Sequence, residues 1–143
     1  MCLKDVANFH LVPGAESLLD YLVEHRIPHT IATASGIVNV EFFIRNFRLD
    51  RWFDPDKIVY DDGSLQGKPH PDIYQKASRT VGVAPEKCIV IEDAVSGIES
   101  AYRAGIGKII AVDSTFGSAV LAALPGVSEV IHDLTGFDRN YLV

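Results

Sequence analysis

A chain of 143 residues that is 48% apolar and carries a formal net charge of −6 is long enough for one domain with a substantial core. With no basic run or basic–aromatic stripe it is not a general nucleic-acid binder, and no apolar stretch is long enough to span a bilayer. The two cysteines, Cys2 and Cys88, make neither a disulfide framework nor a zinc pattern, and Met1-Cys2-Leu3-Lys4-Asp5 lacks the apolar region of a signal peptide, so a reducing cytoplasm is expected.

Residues 1–12 show no periodicity and read as a lead-in to a single domain over 1–143. Pro13-Gly14 opens a helix with Leu18, Leu19, Leu22 and Val23 as its apolar stripe, ended by Ile27-Pro28. His29 to Ala34 reads as a short strand finishing in small residues, with Ser35-Gly36 as the turn. A second helix starts near Ile37 and places Ile37, Val40, Ile44 and Phe47 on one face. The connection from Leu49 to Asp56 holds the only tryptophan, Trp52, as a core anchor.

Lys57-Ile58-Val59-Tyr60 is a candidate strand, and Asp61-Asp62-Gly63-Ser64 a solvated turn. Gly67-Lys68-Pro69-His70-Pro71-Asp72 then leads into a helix, with Pro71 suited to its first position and Asp72 to its positive end. That helix turns Ile73, Ala77 and Val81 inward and stops at Gly82. Cys88-Ile89-Val90-Ile91 is a continuous apolar run, the pattern of a fully buried parallel strand, and Glu92-Asp93 stand where it ends. Ser96 and Glu99 have capping-box spacing, and their helix runs to Gly105. Lys108 to Val112 is another buried strand, followed by a helix from Ser118 to Leu124 and a last strand, Glu129-Val130-Ile131.

Strands alternating with helices predict an α/β fold: a doubly wound, Rossmann-like parallel sheet with helices on both faces. In such sheets ligands bind outside the carboxyl ends of the strands. Three polar groups fall there: Thr33 with Ala34 and Ser35, Lys68, and Glu92 with Asp93. A hydroxyl donor, a fixed cation and an acidic pair suit phosphoryl transfer, whose catalysis consists mainly of positioning and neutralising phosphate oxygens. Adjacent acids repel, and a hard cation such as Mg²⁺ is a natural partner for them. Singly, each group has a plainer reading. Thr33 suits a turn or cap, Lys68 a surface, Ser35 a helix N-cap, and Glu92-Asp93 a cap beside a solvated acid. Asp113, after the Lys108–Val112 strand, reads as a turn residue. The five histidines show no metal-ligand spacing, and His70 is the one nearest the pocket.

In these segments the chain resembles the haloacid dehalogenase-like hydrolases, closest to the subgroup of β-phosphoglucomutase and phosphoglycolate phosphatase. Ile31-Ala32-Thr33-Ala34-Ser35 is similar to the second family motif. Gly67-Lys68-Pro69-His70-Pro71-Asp72-Ile73-Tyr74 is similar to the third, and Val90-Ile91-Glu92-Asp93-Ala94-Val95-Ser96-Gly97-Ile98 to the fourth. The resemblance implies a Mg²⁺-dependent phosphomonoester hydrolase or phosphomutase acting on a small phosphorylated metabolite. It implies that Thr33 binds the phosphoryl group, with Ala34 and Ser35 beside it. Lys68 would orient and neutralise that group, and Glu92 and Asp93 would hold the metal.

One departure stands out. Family members begin with a strand ending in Asp-x-Asp-Gly-Thr, whose first Asp is the nucleophile, followed in this subgroup by a helical cap. No Asp-x-Asp precedes Thr33; the only acid in the lead-in over 1–12 is Asp5. The chain therefore reads as a family core without its first strand and cap, inactive by itself. A missing central strand would leave a gap of roughly 4.8 Å per strand interval, to be closed by a complementing segment, by pairing of the flanking strands, or by self-association. The alternative to an enzyme core is a non-catalytic domain that binds metal, phosphate or a protein through the same pocket. A phosphoacceptor receiver domain is excluded by order, since there the acids come first and the lysine last.

Overall fold

The computed structural model describes residues 2–3, 12–113 and 118–142. The apolar runs pair as parallel strands: β1 (Cys2–Leu3), β2 (Thr30–Ile31), β3 (Ile89–Glu92), β4 (Lys108–Val112) and β5 (Val127–Ile131). Their order across the sheet is β2-β1-β3-β4-β5. The helices between them are α1 (Ala15–Glu24), α2 (Ile37–Phe47), α3 (Asp72–Val81), α4 (Val95–Arg103) and α5 (Ser118–Ala122).

Side-chain alternation along each strand divides the core in two. Ile31, Ile89, Ile91 and Ile110 meet Leu18, Leu19 and Leu22 of α1 and Val40 of α2. Ala32, Val90, Ile109 and Ala111 meet Ile73, Tyr74 and Ala77 of α3, Ile98 and Ala101 of α4, and Leu121 of α5. The sheet is thus covered on both faces, as a doubly wound fold requires. Leu18, Leu19 and Leu22 are at most 1% exposed, and each contributes about 1.5–3 kcal/mol of burial.

The central position of the sheet is occupied. Cys2 pairs with Thr30 and Val90, and Leu3 with Ile31 and Ile91. The expected gap is filled by the chain's own Cys2–Leu3, which leaves no open position there for self-association or a complementing segment. The rest of the expected lead-in as far as Leu11, Asp5 included, lies outside the described residues.

Other departures have local causes. Val23 is 45% exposed, at the margin of its helix's apolar stripe, and Ile37 is 44% exposed as the first residue of α2; Phe43 joins Ile44 and Phe47 against the core. Lys57–Tyr60 contributes only a single bridge, Val59 with Ala32, because Pro55–Lys57 is wound into a 3₁₀ turn. Pro71 is the N-cap of α3, one residue before its predicted place. The Ser96–Glu99 capping box does not form, since α4 has Ala94 as its N-cap and Glu99 pairs with Arg103 at 2.5 Å. β5 starts two residues before its predicted limit. Asp113 is only 3% exposed, its N–H donating to the Ile131 carbonyl at 2.8 Å. Trp52 is the expected anchor, 7% exposed, with Nε1 donating to Asp20 at 2.7 Å.

Gly14 explains the tight entry to α1. Its φ is +85°, and a β-carbon there would stand 2.6 Å from the Thr135 amide nitrogen. Glycine alone satisfies both demands cheaply.

Candidate active site

Register brings the sequence-derived site residues to one edge. Ile31, Leu3 and Ile91 are level across β2, β1 and β3. Thr33 and Asp93 each lie two residues beyond that row, at the carboxyl ends of β2 and β3. With one strand between them the two strands are about 10 Å apart.

Thr33 is 4% exposed. Its N–H donates to the Val59 carbonyl at 2.9 Å, and its Oγ1 accepts from the Ser35 amide at 3.1 Å. A hydroxyl that accepts in this way keeps its proton as a donor. Ala34 is exposed and Ser35 half-buried. The N-cap of α2 is Gly36, without a side-chain cap bond, so Ser35 does not take the cap role. The Ser35 carbonyl accepts from Asp61 N–H at 3.1 Å instead.

Lys68 rides on a loop closed at both ends. His70 N–H donates to the Gly67 carbonyl at 3.1 Å, and Asp72, the first residue of α3, accepts from Gln66 N–H at 3.1 Å. Ser100 of α4 donates to the His70 carbonyl at 2.6 Å. The imidazole-bearing residue nearest the pocket thus contributes its backbone to the loop. Lys68 Nζ lies 2.8 Å from Glu92 Oε1, with side-chain exposures of 5% and 0%.

Glu92 follows Ile91 on β3, and alternation turns its side chain to the face covered by α3 and α4. Four donors meet the carboxylate there. Oε1 receives Lys68 Nζ and the Tyr74 hydroxyl, both at 2.8 Å. Oε2 receives the amides of Asp93 at 3.0 Å and Ala94 at 3.1 Å. An ionised carboxylate has about four acceptor positions, and these donors offset the desolvation that burying an ion pair costs. Gly97 supplies the space, because a β-carbon there would come within 2.1 Å of the Glu92 carboxylate.

Glu92 and Asp93 therefore differ in burial. Glu92, expected with Asp93 as a cation ligand, is turned to Lys68, whereas Asp93 is exposed at the strand end. Among the described residues no three His, Cys, Asp or Glu side chains form a group able to hold a metal.

Sequence reasoning passed over the roles of Tyr74, Gly97 and Ser100. Tyr74 carried a signal: a hydroxyl on the inward face of a helix needs a buried partner. The other two depend on contacts between α4 and segments distant in sequence.

A doubly wound parallel sheet with a hydroxyl, a buried lysine–glutamate pair and an exposed acid along its carboxyl edge is a Rossmann-like α/β core with a polar ligand edge. The haloacid dehalogenase-like hydrolase pattern matches residues 3–105, and the chain belongs to that family. It is 34% identical over 113 residues to a phosphorylated carbohydrates phosphatase of Thermotoga maritima, covering 78% of this chain and 51% of the relative. A crystal structure of a HAD hydrolase, family IA, variant 3, from Entamoeba histolytica superposes with a TM-score of 0.87 at 41% identity, over 92% of this chain and 59% of the other. A HAD family hydrolase from Deinococcus radiodurans, solved with bound phosphate and sodium, superposes with a TM-score of 0.75 at 28% identity, over 90% and 59%. The chain spans about half the length of the curated relatives it matches. Among the described residues no helix is long and apolar enough to cross a membrane.

Proposed function

We propose that this edge of the sheet is the phosphoryl-binding half of a phosphomonoester hydrolase or phosphomutase acting on a small phosphorylated metabolite. The observation that carries the reading is the buried Lys68–Glu92 pair, 2.8 Å apart and level with the strand ends that bear Thr33 and Asp93. An ammonium fixed at the mouth of a parallel sheet neutralises phosphate oxygens without reorganising when charge develops. Thr33 donates its hydroxyl proton to a phosphate oxygen, and the segment through Ala34 and Ser35 lines the same end of β2.

Mg²⁺ fits this donor set through Asp93. The ion takes one or two carboxylates and completes its octahedron with water and phosphate oxygens; Glu92 is engaged by Lys68, Tyr74 and two amides. When bound, the cation supplies Lewis-acid neutralisation of the phosphoryl group. Glu92 then serves as the counter-ion that positions Lys68. The reading sets the protein in a reducing cytoplasm, where the buried thiol of Cys88 stays free.

The nucleophile is the part the chain does not supply in family form, since no Asp-x-Asp precedes Thr33. The chain by itself accordingly binds phosphate without turnover, and an extended protein that carries that motif ahead of this core hydrolyses phosphomonoesters. Phosphate release from phosphorylated carbohydrates with Mg²⁺, measured on both proteins, tests this. Release by the extended protein and its loss on Lys68→Ala support the reading. Release unaffected by Lys68→Ala would remove Lys68 from the site. If neither protein releases phosphate, a non-catalytic phosphate-binding domain remains.

A further inference from the structure

We infer that Tyr74 is a positioning residue of the phosphoryl site, its hydroxyl fixing the Glu92 carboxylate and, through it, the ammonium of Lys68. The inference rests on the role proposed above for Lys68. Tyr74 is fully buried on the inward face of α3, where a phenylalanine would fill almost the same volume. The hydroxyl is the part that packing does not explain. It donates to Glu92 Oε1 at 2.8 Å and lies 3.4 Å from Lys68 Nζ, while the ammonium stands 5.0 Å from the ring centroid.

The geometry divides the work between the two carboxylate oxygens. Backbone amides of Asp93 and Ala94 hold Oε2, which still allows the carboxylate to turn about that anchor. The Tyr74 hydroxyl removes this freedom at Oε1, the oxygen that Lys68 uses. A lysine ammonium is a point charge on a flexible four-carbon stem, so its position depends on how firmly its counter-ion is held. The tyrosine touches both members of the pair and, being buried, acts through them and not on substrate.

The test is Tyr74→Phe in the chain as it stands, read by titration calorimetry with orthophosphate and with vanadate. The ¹⁵N signal of the Lys68 ammonium is followed in parallel, with melting temperature as a control for folding. Loss of the hydroxyl is expected to weaken both anions about three- to tenfold and to broaden the Lys68 ammonium signal. In a Glu92→Gln background the same change should have little further effect on anion binding, because the hydroxyl acts through the carboxylate. A packing role alone would lower the melting temperature and leave the ammonium signal and the anion affinities where they were; that result overturns the inference. If the wild-type chain binds neither anion, the phosphoryl reading fails. The ammonium signal then still decides whether Tyr74 fixes Lys68.

Discussion

The Glu92 carboxylate occupies the place where a side chain on Gly97 would begin. An ideal β-carbon at position 97 falls 2.1 Å from both Cδ and Oε1 of Glu92 and 2.3 Å from Oε2. The first turn of α4 is thereby adapted to a side chain from the neighbouring strand. Gly97→Ala should force Glu92 out of its site, costing about 1–3 kcal/mol for overpacking before any loss of the ion pair. Gly67→Ala, where a β-carbon meets nothing within 4 Å, should stay within about 0.5 kcal/mol of wild type. Urea unfolding of the two variants side by side checks the contrast, and equal stabilities would contradict it.

Lys68→Ala leaves a carboxylate with a fully buried side chain without its cation. The expected cost is about 3–5 kcal/mol of stability, together with loss of phosphate binding. Adding Glu92→Gln should recover part of the stability and none of the binding, which separates the structural from the functional share of the pair. Recovery of both would mean that the ammonium has no role at the anion site.

Asp93 is exposed and is not the N-cap of α4, a place taken by Ala94. Asp93→Asn should lower Mg²⁺ affinity about tenfold or more. A metal titration indifferent to the change would leave Asp93 as a solvated strand-end acid.

The Asp62 turn, on the chain leading to Lys68, has its own pH signature. Hydrogen bonds from the Ser64 hydroxyl and amide, aided by Lys76, lower the Asp62 pKa from 3.8 to about 2. A depressed carboxylate pKa means the folded state favours the ionised form, so the contribution is complete above pH 3.8 and is lost as pH falls through about 2. A ¹³C titration of the Asp62 carboxyl should show this midpoint, and Ser64→Ala should move it back upward. A midpoint near 3.8 in the wild type would contradict the turn geometry.

Much of the fold was readable because the strands are written as apolar runs. Lys108 to Val112 emerges as predicted, the Cys88–Ile91 run forms its strand one residue later, over Ile89–Glu92, and the helix over Ile73, Ala77 and Val81 stops at Gly82, in the left-handed region at φ +71°. β1 was not readable. Two residues carry no periodicity, and Cys2–Leu3 becomes a strand only through β2 and β3 on either side. Glu92 and Asp93 look alike in sequence; what distinguishes them is strand alternation together with Gly97, Tyr74 and Lys68, brought in from other segments. Lys68 and Glu92 were singled out separately, but their direct ion pair depends on the loop that Asp72 and His70 close.

The measurement that bears most directly on the phosphoryl site is a vanadate titration, with Mg²⁺ present, of the wild-type chain against the Lys68→Ala/Glu92→Gln double variant. The double variant is matched as nearly as possible in stability but lacks the fixed cation. The account predicts saturable binding to the wild type and none to the double variant over the same range. Equal binding by the two proteins, or none by the wild type, would contradict it.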